Sequence, residues 1–254
     1  MRFYVLIITL GLLLFSCAPT IKVVDRYPSE QKKTEELVRG EGSSARTVKR
    51  IEYYSNGAKE SEVDIKLGEK YGKYIGYHKN GVTAVIGNYA GNEQSGKWTW
   101  TGMTGIIDSV HTYKFGLLNG KTIYYKDGQI HIQKKYTDGK LNGKFFEFYD
   151  NGNKKVTGSY LEDLPNDKWI WWEVDKSKSR IVNFSNGIKH GNIQVWNEGI
   201  SVLSGSFNQD QKSGTWKWYR SKKDLDSLAN YSNGLLNGLY RTWHSNGKIA
   251  VKGS

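Results

Sequence analysis

A unit of 23 or 24 residues recurs through most of the chain. Each unit starts at a glycine, or in one case at an aspartate, and the eight starting residues are Gly72, Gly96, Gly120, Gly143, Asp167, Gly191, Gly214 and Gly238. Self-similarity at such a period is typical of repeat proteins, in which each unit is stabilised by its neighbours. The repeat therefore constrains the fold more than any other feature of the sequence.

Aromatic residues return at fixed places when the starting residue of each unit is counted as position zero. Position 2 holds Tyr74, Trp98, Thr122, Phe145, Trp169, Ile193, Trp216 and Tyr240. Position 5 holds Tyr77, Thr101, Tyr125, Phe148, Trp172, Trp196, Tyr219 and Trp243. A third aromatic precedes the next unit, at Tyr89, Tyr113, Tyr136, Tyr160, Phe184, Phe207 and Tyr231. Three aromatic rows that cross the units are therefore predicted.

Turn signals divide each unit into two β-prone halves. Asn-Gly or Asp-Gly pairs stand between two such runs at Asn56-Gly57, Asn80-Gly81, Asp127-Gly128, Asn151-Gly152 and Asn246-Gly247. These pairs predict hairpins with type I′ turns, and a Gly/Asp-x-x-x-Gly segment then reverses the chain into the next unit. No connection has room for a crossover helix, so neighbouring strands are antiparallel. We expect an all-β fold: an elongated antiparallel meander of about nine stacked β-hairpins.

The N-terminus has the features of an export signal. Residues 1–16 contain a short basic start and an apolar run from Phe3 to Phe15, too short to span a bilayer. The run ends in Leu14-Phe15-Ser16-Cys17, which resembles the lipobox of bacterial lipoproteins. An ordinary signal peptide with an incidental cysteine, or an uncleaved anchor, are the alternatives.

The resemblance to lipoproteins implies a lipid on Cys17, which is the only cysteine of the chain. We therefore expect an exported protein, anchored to the membrane of the bacterial cell envelope through that lipid. Ala18 stands where some bacteria place an inner-membrane retention signal, so the lipoprotein analogy favours the outer membrane. With Cys17 lipidated, no thiol is left for a disulfide, for zinc or for catalysis.

Two further segments follow the signal peptide. Residues 17–47 are polar and predict a lipid-anchored tether, with a short helix as an option at 29–39. Residues 48–254 hold the repeats and predict the folded β-hairpin domain.

The repeat itself is similar to a known family. Gly96-Lys97-Trp98, Tyr77-His78-Lys79-Asn80-Gly81 and Gly87-Asn88-Tyr89-Ala90-Gly91 resemble the MORN repeat (membrane occupation and recognition nexus) in its bacterial variant form. The resemblance extends over about residues 50–254. Bacterial chains built of this variant are often grouped with the YwqK-type antitoxin family. The resemblance implies a MORN-like repeat sheet or solenoid and carries over no shared chemistry.

The pattern of polar residues does not indicate an enzyme. The five histidines, His78, His111, His131, His190 and His244, occupy different repeat positions. Metal-ligand spacings, nucleophile motifs and paired carboxylates for acid–base chemistry are not found. We expect no catalytic residue, no metal site and no cofactor.

The aromatic rows have two interpretations. Positions 2 and 4 share one face of the sheet and position 5 has the opposite parity, so both faces carry aromatics unless a bulge intervenes. Either all the rings are structural, or one row is exposed and binds a glycan, a peptide or another protein. Tryptophan is densest at the candidate binding surface, which consists of Trp169, Trp171, Trp172, Trp196, Trp216 and Trp218.

The charge of the chain is strongly positive, with a formal net charge of +12 at pH 7. Lysine commonly follows the first residue of a unit, as at Lys73 and Lys97. These lysines either provide solubility and edge protection or attract an anionic envelope surface. Nucleic acid is not expected as a partner of an exported protein.

Together these features predict a membrane-anchored lipoprotein whose MORN-like repeats act as a non-catalytic binding scaffold in the cell envelope. Its partner is expected to be a protein or an envelope polymer. Two alternatives stay open: an antitoxin or immunity-type inhibitor of a partner toxin, and an envelope glycan-binding protein.

Overall fold

The computed structural model describes residues 18–222 and 224–254. The predicted signal peptide (1–16) and lipid-attachment residue Cys17 lie outside the described residues. The described chain forms one antiparallel sheet of 22 strands and a single three-residue 3-10 turn, Gly42–Ser44. The predicted all-β class is confirmed.

The strands follow one another along the chain. They are β1 (Thr20–Arg26), β2 (Lys32–Arg39), β3 (Arg46–Tyr53), β4 (Lys59–Lys66), β5 (Glu69–Tyr77), β6 (Thr83–Ala90), β7 (Glu93–Thr101), β8 (Ile107–Lys114), β9 (Leu117–Leu118), β10 (Gly120–Lys126), β11 (Gln129–Thr137), β12 (Lys140–Leu141), β13 (Gly143–Phe148), β14 (Lys154–Leu161), β15 (Leu164–Trp172), β16 (Lys178–Ser185), β17 (Ile188–Asn197), β18 (Ile200–Asn208), β19 (Gln211–Ser221), β20 (Asp224–Ser232), β21 (Leu235–Trp243) and β22 (Ile249–Gly253).

The sheet is an open meander. The strands pair antiparallel in sequence order, from β1–β2 through to β21–β22, except at two places. The short β9 pairs with β8 and the short β12 with β11, so that β8 also pairs with β10, and β11 with β13. From β3 onward the strands form nine hairpins, which confirms the predicted meander. Within the described part of the chain, β1 and β22 are its two edges.

The sheet begins earlier than the boundary predicted at residue 48. β1 and β2 lie in the predicted tether, and β2 covers most of the segment for which a short helix was an option. β1 pairs with β2, and β2 is joined to β3 by polar pairs: Thr34 Oγ1 donates to the Glu52 carboxylate at 2.6 Å, and Arg50 Nη2 contacts Glu36 Oε1 at 2.8 Å. Because these side-chain hydrogen bonds and ion pairs help to hold β2, its sequence lacks the apolar alternation that marks the other strands.

The turns differ from the predicted type at four of the five Asn-Gly and Asp-Gly sites. At Asn56-Gly57 only the glycine has a positive φ, and Gly57 N donates to Tyr54 O at 2.9 Å, which closes a type I turn followed by a left-handed glycine. Asp127-Gly128 has both φ values positive and fits the predicted type I′ turn. Pairs of positive φ values occur instead at the reversals between units, as at Leu67-Gly68 and Asp138-Gly139. Pairs of positive φ values therefore lie mainly at the end of the sheet opposite to the predicted one, and Asp127-Gly128 and Glu198-Gly199 are exceptions.

The first residue of each unit has a conformational role. All eight have positive φ, from 61° at Asp167 to 114° at Gly143. Glycine takes this left-handed conformation without steric cost, and aspartate is among the residues that tolerate it. The repeat period is thus set by a backbone requirement at the start of each hairpin.

Two faces of the sheet can be distinguished from the pairing. Positions 2 and 4 lie on one side, which we call the packed face because Trp98, Trp169 and Trp216 are buried there. Positions 1, 3 and 5 lie on the other side, which we call the open face. Residues at one position, together with their partners on the strands between, form continuous rows across the sheet. For example, Ser204 pairs with both Gln194 and Lys217, which are at position 3.

Candidate binding faces of the sheet

The packed face is organised by pairs of tryptophan and glycine on adjacent strands. Trp98, Trp169 and Trp216 are 2%, 6% and 3% exposed. Each indole lies over the glycine of the preceding strand, where an added Cβ would be 2.1, 2.2 or 2.4 Å from the ring, at Gly87, Gly158 and Gly205 respectively. Glycine at these places is therefore required by the close approach of the indole.

Other aromatic rings surround each buried indole. The ring of Trp169 stacks on Phe145 at 5.4 Å, meets Tyr160 edge-on at 5.1 Å, and lies 6.0 Å from Trp171. Its Nε1 donates to the carbonyl oxygen of Ser159 at 3.1 Å. Buried aromatic clusters of this kind supply most of the apolar contact in a single-layer sheet. Trp169 and its equivalents thus join one hairpin to the next.

Trp171 and Trp218, which lie on the same face, are half-exposed and lie next to cations. The guanidinium carbon of Arg180 is 4.1 Å from the centre of the Trp171 ring. Lys212 Nζ lies 4.7 Å from the Trp216 ring and 5.4 Å from the Trp218 ring. Long basic side chains commonly place their stems over apolar surface and keep their charge in water.

The side chains at position 5 point to the opposite face. Tyr77 Oη donates to the Glu62 carboxylate at 2.9 Å, and Glu62 pairs with Ile75 at position 3. In the same way, the ring of Phe148 stacks at 6.4 Å on that of Phe146, again at position 3. A register shift next to position 5 recurs in the hairpins, but the extra residue lies on the returning strand. Aromatics on both faces, the prediction made for a sheet without an intervening bulge, are therefore found.

Burial changes the acid–base properties of Tyr77. Burial, together with the hydrogen bond to Glu62, raises the pKa of Tyr77 to about 12. The cost of removing a phenolate from water and placing it beside a carboxylate explains the direction. Tyr77 thus stays a hydrogen-bond donor at neutral pH.

The six tryptophans of the predicted binding surface do not form one surface. Trp169 and Trp216 are buried in the packed face, and Trp171 and Trp218 lie half-exposed beside them. Trp172 and Trp196 lie on the open face, where both are half-exposed. The sequence separates these two groups, because the first four tryptophans are at even positions of the unit and the last two are at an odd position. Position 3 was not predicted to be part of the surface. Its row lies on the open face between the rows of positions 1 and 5.

The open face has a consistent chemical pattern. Position 1 places lysines in a row, at Lys73, Lys97, Lys121, Lys144 and Lys168. Position 3 and its cross-strand partners are mostly β-branched in the first units and, apart from Leu228, are polar from Gln194 onward. Apart from Glu62, which pairs with Ile75, the described residues at positions 1 and 3 and the residues paired with them are not acidic. From β6 onward these rows therefore carry an excess of positive charge.

Two shallow depressions lie on the open face, one beside Trp172 at position 5 and one along positions 1 and 3. One, of about 370 Å³, lies at the turn end beside Trp172 and is bordered by Asn153, Lys154 and Lys176. Its shape is fixed by hydrogen bonds between adjacent turns, because Asn153 Nδ2 donates to the carbonyl oxygen of Val174 at 2.9 Å. The other, of about 250 Å³, lies around Gln194 and is lined by Asn192, Gln194, Ser204, Ser206, Thr215 and Lys217.

One polar pair in the packed face has unsatisfied atoms. Thr122 is fully buried and its Oγ1 has no hydrogen-bond partner, and the same holds for Nε2 of His111 on the adjacent strand. Burial lowers the pKa of His111. Val182 and Ala229 occupy the equivalent places beside Trp169 and Trp216. His111 thus replaces an apolar residue of the other units.

Neither a metal cluster nor a membrane-spanning helix is seen in the described part of the chain. Between residues 18 and 254, apart from residue 223, no group of three or more His, Cys, Asp and Glu side chains is arranged to hold a metal ion. None of the helical segments there has the length and apolarity needed to cross a membrane.

Comparisons with known proteins agree with the repeat. Residues 141–162 and 236–254 match the family model described as the MORN repeat variant. No curated protein has significant sequence similarity to the chain.

Solved structures give only distant matches. The crystal structure of TcdB2-TccC3-TEV is 12% identical over 90% of this chain and 15% of that one, with a TM-score of 0.24. A structure of the Photorhabdus luminescens Tc holotoxin pore is also 12% identical, over 90% of this chain and 15% of that one, with a TM-score of 0.23. The present chain thus spans about a seventh of their length, and at these TM-scores the likeness carries no inference. The chain is a β-hairpin repeat protein with two segments, 141–162 and 236–254, that match the MORN repeat variant.

Proposed function

We propose that this protein is a non-catalytic binding scaffold, and that it binds its partner through the open face. The observation that carries the proposal is the half-exposed position of Trp172 and Trp196 on the face opposite the buried tryptophans. Tryptophan is enriched at binding hot spots because it offers a large rigid surface with little loss of side-chain entropy.

The contrast between the two faces supports this assignment. The packed face uses its buried indoles to join hairpins, and two of its half-exposed rings, Trp171 and Trp218, lie next to cations. On the open face, Trp172 instead borders a depression at the turn end. A row of aromatic side chains along an extended sheet suits a long partner, either a protein segment or a polymer.

The cellular setting is a second part of the proposal. We place the scaffold in the cell envelope, held at the membrane by lipid on Cys17, with the outer membrane favoured. The lipobox-like sequence before Cys17 supports it. A Cys17→Ser variant should remain unprocessed at residue 17 and fail to incorporate labelled palmitate. Processing at the same residue and unchanged labelling in that variant would contradict the anchor.

The binding role can be tested by affinity capture from envelope extract. The wild type is compared with Trp172→Ser/Trp196→Ser on the open face and with Trp171→Ser/Trp218→Ser on the packed face. All four side chains are half-exposed, so the two variants are matched in the kind of surface that they remove.

We expect the open-face variant to lose a captured protein or polymer and the packed-face variant to retain it. Loss from the packed-face variant alone, with its melting temperature unchanged, would overturn the assignment of the binding face. Identification of the captured species also separates the remaining alternatives, since a toxin-like protein would indicate an inhibitor and a polymer would indicate envelope binding.

A further inference from the structure

The open face carries a polar platform across β17, β18 and β19. We propose that this platform binds an anionic polysaccharide, whose chain lies across the strands. The inference rests on the proposed function in using the same face, and it adds the chemical class of the ligand.

The platform begins with a row of hydrogen-bonding side chains. Gln194 on β17 pairs directly with Ser204 on β18, and Ser204 pairs with Lys217 on β19. Gln194 and Lys217 are exposed to solvent. Adjacent strands are about 4.8 Å apart, so these groups succeed one another at about that interval. Amide, hydroxyl and ammonium groups at such spacing can bind successive hydroxyl and carboxylate groups of a sugar chain.

A second row lies beside the first. Asn192 is exposed on β17, and its Oδ1 accepts a hydrogen bond from Ser206 Oγ at 3.0 Å, which fixes the orientation of its amide. Together the two rows line the depression of about 250 Å³. With its Oδ1 held in this way, the Asn192 amide directs its Nδ2 donors toward solvent. Donors that are already oriented lose less conformational entropy when a ligand binds.

An aromatic ring completes the platform. Trp196 lies on the same strand as Gln194, two residues further on, and on the same face. Sugars present an apolar face of C–H groups that stacks on an indole, while their hydroxyl groups bind polar side chains beside it. Trp172 continues the aromatic row two strands away, at roughly 10 Å. The row therefore runs in the direction that a sugar chain across the strands would take.

The charge of the face selects an anionic chain. On β15 to β19, the rows of positions 1 and 3 contain Lys168 and Lys217 and no acidic residue. The lysines of position 1 recur once in two strands, at roughly 10 Å. Duplex DNA carries a charge about every 1.7 Å, and a protein that binds it needs a denser cation array. Widely spaced cations among amides and hydroxyls fit a polysaccharide whose carboxylates are about 10 Å apart along the chain.

Affinity gel electrophoresis of the full chain tests the proposal. The probes are carboxymethyl cellulose and hydroxyethyl cellulose, which share a glucan backbone and differ in charge, and a third gel contains duplex DNA. We expect retardation by carboxymethyl cellulose, weaker retardation by hydroxyethyl cellulose, and weak or no retardation by DNA.

Variants locate the site. Trp196→Ala should weaken the binding of carboxymethyl cellulose by about tenfold, and Gln194→Ala by several-fold. Lys168→Gln/Lys217→Gln should remove the preference for the anionic polymer. Lys22→Gln/Lys114→Gln removes the same charge from exposed positions elsewhere and should leave binding unchanged.

Four results would overturn the proposal: no retardation by either cellulose polymer, equal retardation by both, stronger binding of DNA, or the same loss from both lysine pairs. The general scaffold role is judged separately. If envelope capture depends on Trp172 and Trp196 but yields only a protein, and no polysaccharide retards the chain, the ligand class is wrong while the binding face stands.

Discussion

The indole of Trp169 lies directly over Gly158 on the preceding strand, so close that a Cβ on the glycine would be 2.2 Å from the ring. Nε1 of the same indole donates to the carbonyl oxygen of Ser159, the next residue on that strand. Trp98 and Trp216 repeat both contacts with Gly87 and Gly205. One glycine and one tryptophan on neighbouring hairpins thus form the stabilising contact of the packed face.

The first prediction concerns the glycine of this contact. Gly158→Ala should lower the free energy of unfolding by about 1–3 kcal/mol, because the methyl group forces the indole to move within a packed cluster. Gly253→Ala is the matched control, since it also has an ordinary φ and nothing lies within 4 Å of an added Cβ. Urea unfolding of both variants measures the difference. Equal stability of the two would show that the close approach is not a constraint.

The second prediction concerns a hydrogen bond between adjacent turns. Tyr149 Oη donates to the carbonyl oxygen of Trp172 at 2.8 Å. Tyr149→Phe should lower the free energy of unfolding by about 1 kcal/mol and should accelerate amide exchange in the turn of residues 173–177. Tyr71→Phe serves as the control, because the side chain of Tyr71 is exposed to solvent. Unchanged amide exchange of residues 173–177 in Tyr149→Phe would contradict a stabilising role for this hydrogen bond.

The third prediction is a dependence of stability on pH. Burial holds the pKa of His111 below its ordinary value, so the unfolded chain takes up a proton at a higher pH than the folded one. The contribution of neutral His111 is therefore intact above about pH 6.5 and is lost as the pH falls toward the folded-state pKa. His111→Val, which copies Val182 of a later unit, should remove this part of the acid sensitivity.

Urea unfolding at about pH 7.5 and about pH 5 checks this prediction. The wild type should lose more stability over that range than His111→Val. His190→Val is the control, since His190 is exposed. An equal loss in the wild type and in His111→Val would contradict the assignment.

Much of the fold could be predicted from sequence because its rules are local and repeated. The spacing of the unit glycines and the position-2 and position-5 aromatics predicted nine hairpins and two aromatic faces. Both are found, since every unit meets the same backbone requirement at its first residue. β1 and β2 were not predicted, because Glu36 with Arg50 and Thr34 with Glu52 replace the apolar pattern that marks the other strands.

The candidate site could be predicted only in part. Parity placed Trp169 and Trp172 on different faces, but it could not say which face buries its rings. That depends on Gly158 lying opposite Trp169, a relationship between residues of different hairpins. The polar platform was missed for the same reason: Gln194, Ser204 and Lys217 come together only through the register of three strands.

The measurement that tests the account most directly compares two tryptophans of one strand, Trp169 on the packed face and Trp172 on the open face. Trp169→Ala should lower the free energy of unfolding by about 3–5 kcal/mol, because it empties a buried aromatic cluster. Trp172→Ala should lower it by about 1 kcal/mol or less, since its ring is half-exposed. Urea unfolding of the two variants and of the wild type measures both losses in free energy of unfolding. Equal losses, or a larger loss from Trp172→Ala, would show that both faces serve the fold and would contradict the division into a packed face and an open binding face.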